Sequence, residues 1–376
     1  MTTTHKIFRH FVPLLLAAAL CTAPGWSGAG HGYAVAQAQV SDRVAIDSGR
    51  AVLLAGMRRS GIPGSSVTVM RGGRVVWSEG LGVADVENNL PVTNLTRFRI
   101  GSVSKSLTAV AVALLVESGK LDLDAPVQRY VPAFPQKGYP VTSRQVAGHL
   151  AGIRHYANEE FLSQRHYNNV TDALSIFAND TLLSRPGEQY HYSTYGFVLL
   201  SAVVEGAAGE PFLNFMRRRV FEPLGMRHTI AEYPDSIIPN RAHFYTRTDS
   251  VGPILNAPYV DNSNKWAGGG FLSTTDDLAL FGDEMITAKI LKPQSVDLLW
   301  TSQRTPDGKE TGYGLGWFVS KDSAGRQVVR HSGGSDGGTA LLVLYPKQRM
   351  VFAFLFNSDR PQPPLQRVID LFVGNR

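Results

Sequence analysis

Ser102 and Lys105 are the residues whose types and spacing point most directly to covalent chemistry. An apolar pattern of helical spacing follows them, and Gly119 stands where a helix end favours positive φ. The pattern predicts a helix that begins at Ser102, so that Lys105, three positions on, shares its face. A serine hydroxyl is a weak nucleophile until its proton is removed, and a partly buried lysine with a lowered pKa can remove it. Taken alone, the pair is more typical of a serine N-cap followed by a solvated lysine.

Tyr192 is a second candidate, because it lies in a polar loop that precedes an apolar helix. A tyrosine in such a loop presents its hydroxyl group. If a lysine lowers its pKa, the phenolate can serve as a general base. Tyr190 and Tyr195 flank it, and we interpret these two as aromatic residues of the wall.

His331 is a third candidate, at the end of a predicted strand and before Ser332, Gly333 and Gly334. A strand beside the nucleophile could offer a backbone N–H to a developing oxyanion, and glycine lets a substrate approach closely. The imidazole could orient Tyr192 or the substrate, or accept a proton. An isolated His-x-Gly is more often only a strand end, so the interpretation depends on the three motifs occurring together.

Strand patterns lie at both ends of the chain and helical patterns lie between them. The strand patterns cover residues 66–70, 74–77, 313–320, 327–331, 339–345 and 350–357. The helical patterns cover residues 44–57, 103–118, 142–150, 170–180, 194–207, 211–220, 275–287 and 365–373. This distribution predicts an α+β fold, with one antiparallel sheet from residues 44–98 and 311–376, helices on its faces, and a mostly helical insert over 99–300. Ser102 opens the insert and is expected at the cleft between sheet and helices.

Residues 1–38 have the features of a secretory signal, with a basic start, an apolar run over 11–20 and small residues near the end. The apolar run is too short for a membrane span. The protein is therefore expected to be secreted or periplasmic, with a hydrolase domain over 39–376 and no stable membrane span after cleavage. Cys21 is the only cysteine and lies in the signal, so the mature protein would have neither disulfides nor thiol chemistry.

The net charge of +6 is not concentrated in basic runs interleaved with aromatic residues. A nucleic-acid partner is therefore not expected. His149 and His155 are six positions apart, which is not a one-face helical spacing, and no carboxylate recurs beside them. We predict no metal and no organic cofactor, and a small-molecule or peptide substrate as the partner.

Several blocks of the sequence together resemble the β-lactamase-related serine hydrolases, which include class C β-lactamases, D-Ala-D-Ala carboxypeptidases and related esterases. The blocks lie between Gly61 and Asn357 and read RFRIGSVSKSLTA, VAGHLAGIRHY, YHYSTYGFVLLSAVVE, VFEPLGM, AGGGFLSTTDDLALF, YGLGW and RHSGG. HLAGIRHY and YSTYGFVLLSAVVEGAAG are most similar to the mitochondrial serine β-lactamase-like branch of the family and its bacterial relatives.

The resemblance implies a role for each candidate. Ser102 would be the acylated nucleophile, Lys105 its proton-handling partner, and Tyr192 the general base. The backbone amides of Ser102 and Gly334 would form the oxyanion hole. His331 takes the place of the lysine in the family's Lys-Thr-Gly motif.

The chain departs from the family pattern at two substrate-binding positions. The family's Tyr-x-Asn ends here in Thr194, so the asparagine's contact to the substrate is missing or is made by a hydroxyl. The family's Lys-Thr-Gly begins here with His331 and ends with Gly333, so a titratable imidazole replaces a fixed cation. Both changes favour a peptidase or esterase over a true β-lactamase. If His331 takes part, activity should change near its ordinary pKa of about 6.5.

The main hypothesis is a secreted serine hydrolase that forms an acyl-enzyme on an amide or ester, with β-lactamase activity as the weaker possibility. The alternative is a penicillin-recognising binding module with little or no turnover. An α/β-hydrolase is a third interpretation, because residues 333–337 match G-x-S-x-G around Ser335. That motif requires a following helix, and here a strand pattern follows and the βαβ alternation is missing.

Overall fold

The computed structural model describes residues 1, 29–249, 252–359 and 363–374. The predicted signal over residues 1–38 lies for the most part outside the described residues. The chain divides by its packing into a unit of residues 1–43 and a unit of residues 44–376. The limits predicted for the signal and for the hydrolase domain stay a prediction.

Twelve β-strands are present in the described part of the chain. They are β1 (Gly64–Arg71), β2 (Arg74–Asp85), β3 (Leu90–Pro91), β4 (Phe98–Arg99), β5 (Ile230–Ala231), β6 (Tyr245–Thr246), β7 (Leu255–Asn256), β8 (Phe271–Ser273), β9 (Phe318–Lys321), β10 (Gln327–Ser335), β11 (Gly338–Tyr345) and β12 (Met350–Phe356). Seven of them form one sheet in the order β3-β2-β1-β12-β11-β10-β9, with antiparallel neighbours throughout. The fold-class prediction is confirmed, because strands from both ends of the chain meet where β1 pairs with β12.

The described α-helices lie mostly between the two groups of strands. They are α1 (Ala29–Ser60), α2 (Val103–Glu117), α3 (Ser143–Ala147), α4 (Thr194–Ala208), α5 (Phe212–Phe215), α6 (Trp266–Gly269), α7 (Thr275–Thr287), α8 (Pro293–Trp300) and α9 (Leu365–Val373). Shorter turns of 3-10 helix occur at Val127–Arg129, Asn158–Leu162, Asp172–Ile176 and Asn262–Lys265, and a π-helical turn at Met216–Phe221. Within the described ranges no single helix is long and apolar enough to cross a membrane; two helices, Thr194–Ala208 and Phe212–Phe221, pass that test only as a pair bent by 76°.

The central strands separate two hydrophobic cores because their side chains alternate between the faces of the sheet. On β12, Phe352, Phe354 and Phe356 pack in one core with residues of α9. Val351 and Leu355 point the other way, into the core of the helical insert. Since every residue of β12 is buried, this strand has a continuous apolar sequence rather than an alternating one.

The long apolar helices were predicted to within one residue, because their patterns are strong. The weaker patterns gave errors: the helix expected over 170–180 is a single 3-10 turn at Asp172–Ile176, and α8 was missed. The strand expected over 313–320 begins only at Phe318. The strand that was expected to end at His331 continues to Ser335, so His331 lies in the middle of β10.

Helix α2 carries the candidate residues Ser102, at its N-cap, and Lys105, in its first turn. It contacts α4 and α6 on one side and β10 and β11 on the other. Nearly all of its residues are buried, so it is a core helix rather than an amphipathic surface helix. Three residues, Ile100 to Ser102, join β4 to the first residue of α2, and β10 of the main sheet lies against this connection at Gly333.

Candidate active site

The predicted pair of Ser102 and Lys105 lies at the start of α2 in hydrogen-bond contact. Ser102 is the N-cap residue and partly exposed, whereas Lys105 is completely buried. The Nζ atom of Lys105 is 2.9 Å from Oγ of Ser102. It is also 2.7 Å from the carbonyl oxygen of Gly268 and 3.0 Å from Oγ1 of Thr194. The structure therefore gives the lysine three oxygen partners and no carboxylate among them.

Burial lowers the pKa of Lys105 well below its usual range, and the charge of Lys265 lowers it further. A neutral amine has two N–H groups and one lone pair. The carbonyl of Gly268 and the hydroxyl of Thr194 can accept the two N–H groups. The lone pair then faces the hydroxyl of Ser102, which is the geometry that a general base requires.

Tyr192 lies close to Ser102 and Lys105. Its ring lies 4.9 Å from Nζ of Lys105, measured to the ring centroid. Burial raises the pKa of Tyr192 to about 12, and the side chain of Ser102 lowers it only in part. The condition for a phenolate base, a pKa lowered by a lysine, is therefore not met in the free protein. Because this pKa lies far above neutral pH, Tyr192 is a neutral phenol that can donate its proton.

Thr194 is buried, and its hydroxyl is already engaged. It accepts a hydrogen bond from Lys105, and the Thr194 side chain lowers the pKa of Tyr156 against the larger effect of burial. The prediction that Thr194 contacts the substrate stays a prediction; the partner of its hydroxyl in the structure is Lys105. The sequence pattern placed Thr194 near the site, but it could not tell which way the side chain points.

Strand β10 runs directly against the segment that carries the nucleophile. A Cβ added to Gly333 would lie 2.0 Å from the carbonyl oxygen of Ile100 and 3.1 Å from the amide nitrogen of Ser102. Gly101 has a φ of +47°, and a Cβ there would lie 2.7 Å from the amide nitrogen of Gly334. Gly333 was predicted to border the substrate; instead it allows the strand to approach the nucleophile.

Gly334 has the opposite orientation, as the two-residue period of a strand requires. It is exposed, and a Cβ added there would meet no atom of the described chain within 4 Å. The amide groups of Ser102 and Gly334 thus lie on neighbouring segments beside open space. This arrangement is compatible with the oxyanion hole that was expected from them.

His331 is buried and both of its ring nitrogens are occupied. Its Nδ1 lies 2.7 Å from the carbonyl oxygen of Ser332, and its Nε2 lies 2.9 Å from the hydroxyl of Tyr313. Nδ1–H therefore donates to the carbonyl, and Nε2 accepts from the phenol. Burial lowers the pKa of His331 to about 3. The expectations of a catalytic proton acceptor and of a titration near 6.5 are contradicted; the neutral ring supports the wall beside Tyr192.

His149 and His155, which have no metal-binding spacing, hold the amino-terminal end of α4. Nδ1 of His149 accepts the backbone N–H of Ser193 at 3.1 Å, and Nδ1 of His155 accepts that of Thr194 at 3.2 Å. Both rings also pack against Tyr192, with centroids 4.4 and 5.6 Å from its ring. Burial lowers the pKa of His149 well below its usual range and that of His155 to about 4.

These buried neutral histidines predict acid-sensitive folding. Below pH 6.5 these histidines become protonated in the unfolded chain. In the folded protein His155 stays neutral down to about pH 4 and His331 down to about pH 3. Stability is therefore lost as the pH falls through this window, by at most about 1.4 kcal/mol per pH unit for each histidine. Urea unfolding at pH 7, 6 and 5 measures the loss, and His155→Asn, whose amide oxygen can replace Nδ1, should reduce the slope. A midpoint that does not change between pH 7 and 5 contradicts this account.

Lys265 is a site residue that the sequence analysis did not find. It is buried at the end of the 3-10 turn before α6, three residues before Gly268. Its Nζ lies 5.2 Å from the ring centroid of Tyr156 and 4.7 Å from that of Phe161. No local pattern marks it, because its proximity to Lys105 results from tertiary packing alone.

One group of possible metal ligands occurs in the described part of the chain, away from the residues named above. Asp85, Glu87 and His243 bring one ligand atom each within 4.8 Å of one another. Both carboxylates already accept hydrogen bonds from side-chain amides, those of Asn88 and Asn256. Two of the three residues are exposed, and we assign no function to the group.

The antiparallel sheet with a helical insert, together with a buried lysine beside a partly exposed serine at the junction, defines a serine hydrolase of the β-lactamase fold. The G-x-S-x-G interpretation is excluded, because Ser335 ends β10 and β11 follows it directly. The family model described as beta-lactamase matches residues 50–371. The chain belongs to this family.

Individual relatives agree with the assignment. The serine beta-lactamase-like protein LACTB, mitochondrial, of Bos taurus is 35% identical over 403 residues, which cover 81% of this chain and 72% of the relative. The structure of an octameric penicillin-binding protein homologue from Pyrococcus abyssi has 27% identity and a TM-score of 0.76, covering 88% of this chain and 77% of the other. A D-stereospecific amidohydrolase from Streptomyces sp. shares the fold at 24% identity, with a TM-score of 0.74 and coverages of 88% and 99%.

The prediction of a secreted or periplasmic location is contradicted by these relatives. The bovine protein and its counterparts from Homo sapiens and Mus musculus are named as mitochondrial, which points away from secretion. The prediction depended on a basic start and an apolar run in residues 1–38. A segment with basic residues and without acidic ones before Asp42 is also typical of mitochondrial targeting sequences, so these features did not discriminate.

Proposed function

We propose that the protein hydrolyses an amide or ester through an acyl-enzyme on Ser102, as an esterase or peptidase. The observation that carries the proposal is the hydrogen bond between the buried Lys105 and Ser102 at the start of α2, with the ring of Tyr192 beside the same amine. Three features fit it: a buried amine with a lowered pKa, a nucleophile at a helix N-terminus, and exposed backbone at Gly334.

In the acylation half-reaction, Nζ of Lys105 takes the proton of Ser102 as Oγ attacks the acyl carbon. The carbonyl oxygen becomes an oxyanion and accepts the N–H groups of Ser102 and Gly334. The bond to the leaving group then breaks, and the leaving group takes its proton from the hydroxyl of Tyr192. The proton held on Lys105 restores Tyr192, so that the acyl-enzyme is left with both groups in their resting states.

In the deacylation half-reaction, water replaces the leaving group. The lone pair of Lys105 and the hydroxyl of Tyr192 are the groups near Oγ that can transfer the protons of this water molecule. Attack on the ester carbon forms the second oxyanion, and its collapse releases the acid and returns a proton to Oγ of Ser102. No change of oxidation state and no cofactor enters either step.

Product partition with methanol tests the acyl-enzyme directly. Butyrate esters of 4-nitrophenol, phenol and 2-naphthol should give the same ratio of methyl butyrate to butyric acid, because one common intermediate partitions between the two nucleophiles. A ratio that changes with the leaving group contradicts the mechanism. Release of about one equivalent of nitrophenol with no further turnover would instead support the penicillin-recognising binding module.

A further inference from the structure

Lys265 is a buried cation without a counter-ion in the described chain. Its side chain is buried, and burial lowers its pKa to about 8, so the ammonium form still predominates at neutral pH. Its hydrogen bond is to a neutral group, the carbonyl oxygen of Phe161 at 2.8 Å. Across the described residues, no carboxylate oxygen lies within ion-pair distance of its Nζ. Buried charges are normally paired, because desolvation without a counter-ion is costly.

The acidic residues that face Lys265 are engaged with other partners or are held apart from it. Glu232 accepts hydrogen bonds from Arg99 and Asn262. Asp261 accepts from His166 and from the backbone of Ser263.

Asp336 is the remaining acid near Lys265, and its Oδ2 is buried without a hydrogen-bond partner in the described chain. Burial raises the pKa of Asp336, against the effect of Arg99 and Lys265. The titratable groups around the ammonium are therefore Arg99, Lys105, His155, Glu232, Asp261 and Asp336, and none of the acids neutralises it by contact.

Asn264 supplies a second and independent observation. It is 1% exposed, yet neither its Oδ1 nor its Nδ2 has a hydrogen-bond partner in the described chain. Leaving a buried amide without partners costs about 1–3 kcal/mol for each group. The unsatisfied amide of Asn264 directly precedes Lys265 in the chain, which is compatible with a polar ligand at this turn.

We propose that Lys265 binds a carboxylate carried by the acyl part of the substrate, a proposal that rests on the function given above. The acyl part is preferred because Tyr192, which protonates the leaving group, is surrounded by other rings. Those rings are His149, His155, Tyr313, Phe318 and His331. Lys265 instead faces Tyr156 and Phe161, both partly exposed, so its anion lies away from the leaving group. The substrate class is thus an ester or amide of a dicarboxylic or acidic amino-acid type.

Matched esters test this inference. Mono-4-nitrophenyl adipate and suberate differ from the hexanoate and octanoate esters by a terminal carboxylate, and blanks without enzyme correct for spontaneous hydrolysis. Of the two charged esters, the one that the wild-type protein hydrolyses better should exceed its neutral partner at least about tenfold in kcat/KM, which corresponds to ~1.4 kcal/mol. In Lys265→Met this ratio should fall to about one through a rise in KM, and Lys265→Arg should retain most of it.

Lys137→Met is the matched control, because Lys137 also donates to backbone carbonyls but lies in another part of the chain. It should leave the ratio unchanged. A wild-type ratio of one or less, or a ratio that Lys265→Met does not alter, overturns the inference while hydrolysis of the neutral ester preserves the proposed function. If the folded wild-type protein hydrolyses none of the esters, both the inference and the proposed function are overturned.

Inhibition of the wild-type protein makes the test independent of how the variants fold. Adipate should compete with 4-nitrophenyl hexanoate, whereas adipamide, which has the same length and no charge, should not. Equal inhibition by the two compounds, or none by adipate, contradicts a carboxylate site at Lys265.

Discussion

Ser102→Ala should reduce the turnover of activated esters by about 10⁴-fold or more, because no other group can take the place of the attacking oxygen. The variant should remain folded. Ser102 is the N-cap of α2, but its side chain makes no capping hydrogen bond there, so the substitution removes no cap. Steady-state hydrolysis of 4-nitrophenyl butyrate, with thermal unfolding of the same preparation, measures both effects.

Ser335→Ala is the matched control for this variant. Ser335 is the serine of the G-x-S-x-G match, and it is buried at the end of β10. It should retain activity within about threefold. The opposite result, with Ser335→Ala inactive and Ser102→Ala active, would move the nucleophile and refute the site.

Lys105→Met should lower kcat/KM by about 10³-fold, which is within the range for the loss of a positioned general base. Methionine has a similar length, so the packing inside α2 is largely retained. The variant loses a buried polar group and leaves the carbonyl of Gly268 without its donor, and these effects on stability oppose each other. The pH–rate profile of the wild type should fall on the acid side as Lys105 becomes protonated, at a pH well below the ordinary lysine range.

Lys105→Arg separates a base from a fixed charge at this position. Arginine keeps the positive charge but cannot give up a proton at accessible pH. If Lys105 acts as the base, both variants are inactive. Activity that survives in Lys105→Arg would show that the lysine only provides charge. A fall of less than tenfold in Lys105→Met would show that neither its charge nor its lone pair is required.

The parts of the site that the sequence predicted are those that depend on local periodicity. Ser102 and Lys105 meet because three positions along a helix share one face, whatever the rest of the fold does. The long apolar runs of α2 and α4 made the helices themselves predictable. Tyr192 was found because it directly precedes one of these runs.

The remaining features depend on tertiary packing and could not be predicted. The neutral state of His331 results from its burial, and its Nε2 is occupied by the hydroxyl of Tyr313, from a segment that was expected to be a strand. Gly333 faces the segment of the nucleophile instead of the substrate, while Gly334 lies beside open space, because β10 continues past His331 and the strand period decides which glycine faces which side. Lys265 is near Lys105 only because Lys105 donates to the carbonyl of Gly268 in α6, the short helix that Lys265 directly precedes.

Labelling with a fluorophosphonate, followed by peptide mapping with mass spectrometry, tests the central claim most directly. The reagent phosphonylates the activated serine of a hydrolase: Oγ bonds to phosphorus and fluoride leaves, in a reaction that requires the nucleophile but no particular substrate. The account predicts a single adduct, on Ser102, which is formed in the wild type and lost in Lys105→Met. An adduct on Ser335, or a folded protein without any adduct, would contradict it.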